Sequence, residues 1–326
     1  LTRSDLPPDD SVVRYPRAEL TRRQVAAGQT LEDMELILSP MVESGKEAVG
    51  SMGDDTPLAV ISERPRLISQ FFRQNFSQVT NPPIDSLRER YVMSLKTRFG
   101  NLANILDTED RRGRVLVLDS PVLTGADWNR LLKHFARSAA VIDCTFPIGG
   151  GPEQLRAAIA RIRTQAEQAV REGRSELFLT DENVSADRVA IAGVLAAAAV
   201  HTHLVRRGLR SYASVNVRTA ECLDTHYYAV LIGVGATTVN AYLAEAAIAE
   251  ARAAMEGGAA AVAAFGISAR VEFLMVPLAF GVGSALTALV GRAAGAGDWA
   301  AARRTAWTRR SSRVSVSMRR TISRRS

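Results

Sequence analysis

The spacing of apolar residues predicts alternating strands and helices across residues 114–250. Residues 115–118 are a continuous aliphatic run, typical of a buried strand, and residues 127–137 have helical spacing. Further strands are predicted at 139–144, 177–179 and 212–217, and further helices at 153–172, 187–207, from His226 and from Val239. This order indicates an α/β fold with a mostly parallel sheet flanked by helices.

A capping signal predicts an earlier helix. Thr30 and Asp33 stand three residues apart, the spacing at which each side chain can bond the other's backbone N–H. The apolar residues that follow repeat at three and four residues: Leu31, Met34, Leu38 and Met41. We therefore expect a helix with one buried face to about Glu43, kinked or ended early at Pro40.

Residues 45–85 predict a fixed loop clamped to a helix. Glycine, aspartate and proline crowd the first third of this stretch, a composition that forms turns. Residues 67–76 then follow helical spacing with one apolar face: Leu67, Ile68, Phe71, Phe72 and Phe76. The Pro82-Pro83 pair is expected to stop that helix.

Charge, apolar content and cysteine content indicate a protein with a sizeable core from a reducing compartment. The net charge is +7, but residues 291–326 hold ten arginines and one aspartate, which leaves −2 for residues 1–290. Apolar residues make up 47% of the 326, enough for a sizeable core. Cys144 and Cys222 lie in apolar segments, which indicates packed thiols in a reducing compartment. We therefore expect a cytoplasmic protein.

Both ends of the chain differ from its middle. Residues 1–24 carry prolines and charges without an apolar period, and we interpret them as a surface linker. Leu1 stands where Met would begin a complete chain and no signal-peptide pattern follows, so we expect a fragment. Residues 273–290 are uncharged and would span about 27 Å as a helix, close to a bilayer core. Residues 308–326 are interpreted as a disordered basic tail with an out-of-frame or artificial end.

Two stretches resemble a known family. SMGDDTPLAV with QVTNPPIDSLRE, in residues 51–89, and ECLDTHYYAVLIGVGATTVNAYLAEAAIAE, residues 221–250, are similar to the central domain of the glutamate synthase large subunit. Residues 266–307 instead resemble one segment of multidrug and toxic compound extrusion transporters. The predicted organisation is a linker (1–24), a glutamate synthase central-type domain (25–254), a transporter-like segment (255–307) and the tail (308–326).

The resemblance implies a place in ammonia assimilation. Enzymes of this family convert glutamine and 2-oxoglutarate into two glutamates, with an N-terminal amidotransferase domain, a synthase domain that carries FMN and an iron–sulfur cluster, and an NADPH-oxidising small subunit. The family assigns its central domain no catalytic residue. Here Leu1 replaces the nucleophilic first cysteine, and two cysteines are too few for a cluster. We expect no catalytic residue, metal or cofactor on this chain itself.

Candidate ligand-binding residues follow the predicted strands, because ligands of open parallel sheets bind beyond the carboxyl ends. They are Asp119, Ser120, Asp143, Gly149, Gly150, Gly151, residues 180–183 and residues 218–221. One interpretation is a phosphate or cation site, with the glycines exposing N–H groups at a helix start. The favoured interpretation is that the acids cap helices and the glycines form a turn. GGGP lacks the P-loop lysine and the spaced glycines of a dinucleotide site.

His201, His203, Asp54 and Asp55 are further candidates. The two histidines are two apart on a predicted helix, so they point to different faces and are poorly placed to share a metal. The adjacent aspartates could act in acid–base catalysis, but hydrogen bonds that fix their loop are the favoured interpretation.

Cys222 and His226 stand four apart, and Asp224 lies between them. One interpretation is a catalytic set in which Cys222 is the nucleophile, His226 the base and Asp224 the orienting acid. The favoured interpretation is that these residues have a packing role. The arginine tail could contact phosphates of nucleic acid or of a membrane surface, but it has no aromatic residue after Trp307 for base stacking, and a solvated end is favoured.

The sequence leads to three hypotheses about the function of the chain. The leading hypothesis is a structural, inter-domain module of glutamate synthase without activity of its own. The alternative is a chimeric or membrane-tethered protein, anchored through residues 273–290, whose tail derives from a drug or cation antiporter. The third is a small-molecule binder that uses the loops at the strand ends.

Overall fold

A computed structural model describes residues 2–9, 14–45, 48, 50, 52–54, 56–57, 59–61, 66–73, 94–104, 115–256 and 298. The chain divides into two compact units, and the first comprises Leu1–Asn75 and Leu95–Arg270. All described residues except Ser94 and Asp298 belong to it. The predicted membrane span (273–290) and basic tail (308–326) lie outside the described residues. Within those that are described, no helix is long and apolar enough to cross a bilayer.

Eight short strands are described. In chain order they are β1 (Thr97–Phe99), β2 (Leu116–Leu118), β3 (Ala139–Asp143), β4 (Thr145–Pro147), β5 (Glu176–Thr180), β6 (Arg188–Ala190), β7 (Ser214–Arg218) and β8 (Thr238–Asn240). Strands β3, β5, β7 and β8 form a parallel sheet in that order, whereas β1 pairs antiparallel with β2, and β4 with β6. The predicted α/β architecture with a mostly parallel sheet is confirmed.

The helices follow the predicted alternation. They are α1 (Arg17–Ala26), α2 (Leu31–Asp33), α3 (Ser39–Ser44), α4 (Gly125–His134), α5 (Gly151–Arg171), α6 (Gly193–Arg206), α7 (Thr225–Gly233) and α8 (Tyr242–Glu256). Helix α1 begins within the segment predicted as a linker (1–24), and its Leu20 is buried in the main core.

Helices α5, α6 and α7 connect successive parallel strands and lie on one face of the sheet. Such connections are right-handed, so strands in sequential order place each connecting helix on the same side. The strands present aliphatic side chains to these helices: Ile142, Leu177, Leu179, Val215 and Val217, each at most 3% exposed. Together they form the main hydrophobic core.

The opposite face of the sheet is buried but largely polar. Glu176, Ser214, Asn216, Thr238 and Asn240 are each at most 2% exposed. Asn216 Nδ2 donates to the Leu177 carbonyl at 3.1 Å, and its Oδ1 accepts from the Thr238 hydroxyl at 2.7 Å. Buried parallel strands usually read as unbroken apolar runs. The alternation in β7, SVNVR, therefore reflects a hydrogen-bonded layer rather than an exposed face.

A second apolar cluster interrupts this polar face around Phe178. The ring of Trp128, from α4, meets the Phe178 ring edge-on with centroids 4.8 Å apart. Phe99 of β1 adds a third ring, 6.0 Å from that of Phe178. Helix α4 and the β1–β2 pair thus cover the part of the sheet that the connecting helices leave open.

Three predicted elements are wrong in type or pairing. Strand β2 joins β1 rather than the parallel sheet. The residues after β2 contact that sheet through a parallel bridge from Val122 to Val239. The helix predicted from Asp187 begins at Gly193, because β6 occupies the residues before it. The helix predicted from Val239 begins at Tyr242, because Val239 lies in β8. A three-residue strand is too short to show alternation, which explains the last two errors.

The helical segment from Leu31 to Ser44 passes through Pro40 instead of ending there. The capping box is confirmed: the Thr30 hydroxyl accepts from the Asp33 N–H at 3.2 Å, and Asp33 accepts from the Thr30 N–H at 2.8 Å. A π-helical turn at Met34–Leu38 precedes the proline, whose missing N–H and ring would disrupt regular α-helical pairing. Leu31, predicted on the buried face, is 74% exposed, so that assignment is wrong.

The described part of the helix predicted over residues 67–76, which is residues 67–73, contains one 3-10 turn, Ile68–Phe71, followed by extended Phe72. Phe76 and the Pro82-Pro83 stop signal lie outside the described residues. The predicted clamp is present, since the Asp54 N–H donates to the Gln70 carbonyl at 3.0 Å and the Asp54 carboxylate pairs with Arg66 at 2.6 Å. A Cβ on Gly53 would lie 2.0 Å from the Phe72 carbonyl oxygen, so this approach requires glycine.

Candidate functional site

The carboxyl ends of β5 and β7 are joined by Asp181, which is 3% exposed. Its carboxylate accepts from the Thr219 hydroxyl at 2.7 Å and from the Ala220 N–H at 3.0 Å, and the Tyr242 hydroxyl also bonds it. Burial raises the pKa of Asp181 to about 6, while these hydrogen bonds oppose the rise. Asp181 therefore fastens one strand end to the loop after its neighbour.

Two partly buried glutamates lie at helix N-termini nearby. Glu221 accepts from the N–H of Gly193, the first residue of α6, at 3.0 Å, and from the Tyr227 hydroxyl. Glu245 accepts from the N–H of Gly125, the first residue of α4, at 2.8 Å. Burial is the main cause that raises the pKa of both carboxyls. The chain's own carboxylates thus fill two positions where helix dipoles favour anions.

Arg218, the last residue of β7, lies among aromatic rings and is 3% exposed. Its guanidinium carbon is 5.7 Å from the Trp128 ring centroid and 5.2 Å from that of Tyr242. Glu182 pairs with it at 3.0 Å. The Nε atom has no hydrogen-bond partner among the described residues. An ion pair and two aromatic faces therefore replace water around this charge.

Asp143 is engaged in the turn between β3 and β4. One carboxylate oxygen accepts from the Thr145 N–H at 2.9 Å and from its hydroxyl at 2.8 Å. The other accepts from Arg188 at 3.1 Å. Asp143, one of the candidate strand-end residues, is therefore already bonded on both oxygens.

The three candidate glycines form an exposed turn before α5. Gly149 and Gly151 have φ of 102° and 59°, conformations that favour glycine. Gly150 is the N-cap of α5, and as a glycine it has no side chain to bond the first N–H groups of the helix. The start of α5 is therefore open. Asp119 and Ser120 follow β2, a strand outside the parallel sheet, and Ser120 accepts from the Val122 N–H at 3.1 Å.

The two histidines have separate partners. His201 Nδ1 accepts from Arg210 Nε at 3.0 Å, and His203 Nε2 lies 2.6 Å from Glu167. Within the described part of the chain, no three His, Cys, Asp or Glu residues are arranged to hold a metal ion. Asp54 is bonded within its loop, and Arg66 is the first cause that lowers its pKa to about 2. Asp55 lies outside the described residues.

The thiol, imidazole and acid near α7 also point to different partners. Asp224 caps α7 by accepting from the Tyr227 N–H at 2.8 Å, while His226 Nε2 lies 2.8 Å from the Ser69 carbonyl. Cys222 is fully buried, and burial raises its pKa. Burial likewise raises the pKa of Cys144. Both thiols therefore stay protonated, the unreactive form of cysteine.

Sequence reasoning missed Glu245, Trp128, Tyr242 and Arg188. Glu245 carried a signal, because it is a lone acid near the start of an apolar helix, where a charge must find a partner. Trp128 and Tyr242 carried none, because their contacts with Arg218 cross 90 and 24 residues of sequence.

Comparisons with known proteins match two parts of the chain to two families. The chain matches the family model "Glutamate synthase central domain" over residues 22–271. A second family model, "MatE", matches residues 250–309. Both resemblances seen in the sequence are confirmed.

The relatives are much longer proteins. The "Glutamate synthase [NADPH] large chain" of Azospirillum brasilense is 64% identical over 234 residues, which are 72% of this chain and 15% of that protein. The protein of the same name from Bacillus subtilis is 39% identical over 231 residues, 70% of this chain and 15% of the relative. The "Ferredoxin-dependent glutamate synthase, chloroplastic" of Spinacia oleracea is 41% identical over 69% of this chain and 14% of the relative. The chain belongs to the glutamate synthase central domain family.

Proposed function

We propose that this chain is a structural, inter-domain module of a cytoplasmic glutamate synthase and has no catalytic activity alone. The observation that carries the proposal is the internal bonding of the strand-end acids. Asp181, Glu221 and Glu245 each accept from backbone N–H groups of the chain itself. Acids that act on a substrate must be free to face it, whereas these hold loops and helices in place.

The length of the relatives supports the same function. The chain spans about 15% of the Azospirillum brasilense large chain, so a complete enzyme of this kind has most of its residues elsewhere. We assign the conversion of glutamine and 2-oxoglutarate to an amidotransferase domain and a synthase domain, and electron delivery to an NADPH-oxidising small subunit. These are the partners that the central domain would hold in fixed geometry.

The FMN and iron–sulfur cluster of the family do not fit the described residues. Cys144 and Cys222 are the chain's two cysteines, whereas a cluster takes about four thiolates. An FMN phosphate would favour a helix N-terminus, but Glu245, Glu221 and Asp224 take these positions at α4, α6 and α7. The start of α5 is open, but its first turn carries the acid Glu153, which disfavours an anion there. We therefore assign both groups to other domains of the enzyme.

The first test is an assay of the chain alone. Purified residues 1–326 with glutamine, 2-oxoglutarate and NADPH are expected to form no glutamate above a protein-free blank, because both thiols are buried and the acids are bonded. Amino-acid analysis measures the product, and a complete glutamate synthase is the positive control. Glutamate formation that a Cys222→Ala variant loses while it stays folded would overturn the proposal.

A structural role for Asp181 predicts a specific pH dependence. Its pKa of about 6 in the folded chain lies above the ordinary value of 3.8. The folded state therefore binds this proton more tightly, so the favourable contribution is complete below pH 4 and is lost as pH rises through 6. Relative to Asp181→Asn, the native chain is expected to lose about 2 kcal/mol of unfolding free energy between pH 4 and 7.

Urea unfolding at several pH values measures this difference. Asp187→Asn is the matched control, because Asp187 is an exposed acid six residues away, and its difference from the native chain is expected to be flat. If the difference in unfolding free energy between the native chain and the Asp181→Asn variant does not change with pH, Asp181 is not held as described.

The alternative function is a chimeric or membrane-tethered protein, and the match of residues 250–309 to the MatE family favours it. Its test is membrane fractionation of cells that express the full chain or a form lacking residues 257–326. A tether predicts that the full chain pellets with membranes and the deletion stays in the supernatant. Equal distribution of the two forms would exclude the tether.

A further inference from the structure

Residues 2–9, here named the N-terminal strap, lie against α4. Arg3 contacts Asp127 with two guanidinium nitrogens, Nε at 2.8 Å and Nη2 at 2.7 Å. The Asp127 side chain is 3% exposed, so this charge is taken out of water. Arg130 approaches the same oxygen at 3.9 Å, which leaves Arg3 as the closer cation.

Two further anchors follow at intervals of three residues. Leu6 is 8% exposed and joins the cluster that contains Trp128, Leu118 and Leu131. Asp9 pairs with Lys133 at 2.6 Å, and its side chain is 5% exposed. The surface formed by β2 and α4 thus binds a cation at one end, an apolar side chain in the middle and an anion at the other end.

The first anchor is joined to the start of α4. Asp127 also accepts from the Thr124 hydroxyl at 2.9 Å and from the Thr124 N–H, in the capping box of this helix. The next residue, Trp128, stacks over the Arg218 guanidinium and against Phe178. A change at Arg3 therefore acts on the Asp127 carboxylate, and the residue next to Asp127 is the tryptophan that contacts Arg218.

The contacts of the strap compete with the entropy cost of ordering it. Ordering eight residues costs about 1 kcal/mol or more for each backbone unit. Two charge pairs and one leucine offset part of that cost, so all three anchors must act together. Release of the strap would leave Asp127 short of its closest cation and Leu131 uncovered.

We propose that β2 and α4 form a peptide-docking groove whose occupant is residues 2–9 of this chain, and that its occupancy sets the position of Trp128 over Arg218. The strap precedes residue 22, where the family match begins, so the groove adds a contact that the match does not include. The proposal is independent of the proposed function, because it concerns packing alone.

Trp128 provides a local probe. Substituting Trp299→Phe and Trp307→Phe leaves it as the sole tryptophan of the chain. In that background, Arg3→Ala combined with Leu6→Ala is expected to shift Trp128 emission to the red and to raise acrylamide quenching several-fold, because the cluster above it opens. Arg14→Ala is the control, since it removes the charge of an exposed arginine outside the strap and should change neither readout.

A peptide added in trans tests the groove directly. A chain that starts at residue 10 should recover the native Trp128 emission when a synthetic peptide of residues 1–10 is added, in a saturable manner. The same peptide with Arg3→Glu should not restore it. The proposal is wrong if the folded Arg3→Ala/Leu6→Ala chain keeps the native Trp128 emission, the native acrylamide quenching and the native exchange of α4 amides.

If the shortened chain does not fold, a double-mutant cycle in the full chain decides. Arg3→Ala should speed the exchange of α4 amides about tenfold. Asp127→Asn should speed it by more, because Asp127 also caps α4 through Thr124. The double variant should be no faster than Asp127→Asn alone, because the Arg3 contact is already lost there. Additive effects of the two substitutions would contradict a direct contact.

Discussion

Burial of carboxylates at the strand ends is the constraint on which the rest of this structure depends. Asp181 is buried, Glu221 and Glu245 are partly buried, and each accepts from a backbone N–H in a different part of the chain. An unpaired buried charge would cost several kcal/mol, so the loops and helix ends must stay where they satisfy these acids. The same bonds that fix the geometry also remove the groups from contact with ligands.

The two faces of the sheet are stabilised by different interactions. On one face, aliphatic side chains of the strands pack against α5, α6 and α7, which gives non-directional hydrophobic stabilisation. On the other, Asn216, Ser214 and Thr238 form directional hydrogen bonds that admit one register. Helix α4 closes this second face through Trp128, and Glu245 of α8 holds its first residue. The sheet, the helices and the strand-end acids are thus one connected arrangement.

Local sequence signals predicted the elements that local chemistry determines. Helix α5 was predicted within two residues at its start and one at its end, because apolar spacing defines it and Gly173, with φ of 86°, follows it. The Thr30 capping box was likewise readable from four residues. Strand β8 was missed because a strand of three residues is too short to show an alternating pattern. Strand β2 was assigned to the wrong sheet because the residues that separate it from its partner β1 include few apolar positions. Acids at strand ends could be selected by position, and Glu245 by its place in an apolar helix, but the partner of Glu245, the Gly125 N–H, lies 120 residues away and could not be predicted.

The central claim is that this domain contributes geometry and no reacting group. Its most direct test is the glutamine-dependent rate of a hybrid Azospirillum brasilense large chain in which residues 22–256 replace their counterpart, measured for Asp181→Asn, Glu221→Gln and Glu245→Gln forms and divided by the fraction folded. The rate per folded molecule is expected to equal that of the unsubstituted hybrid. A variant that is fully folded and binds FMN, yet loses the reaction even with ammonia supplied, would contradict it.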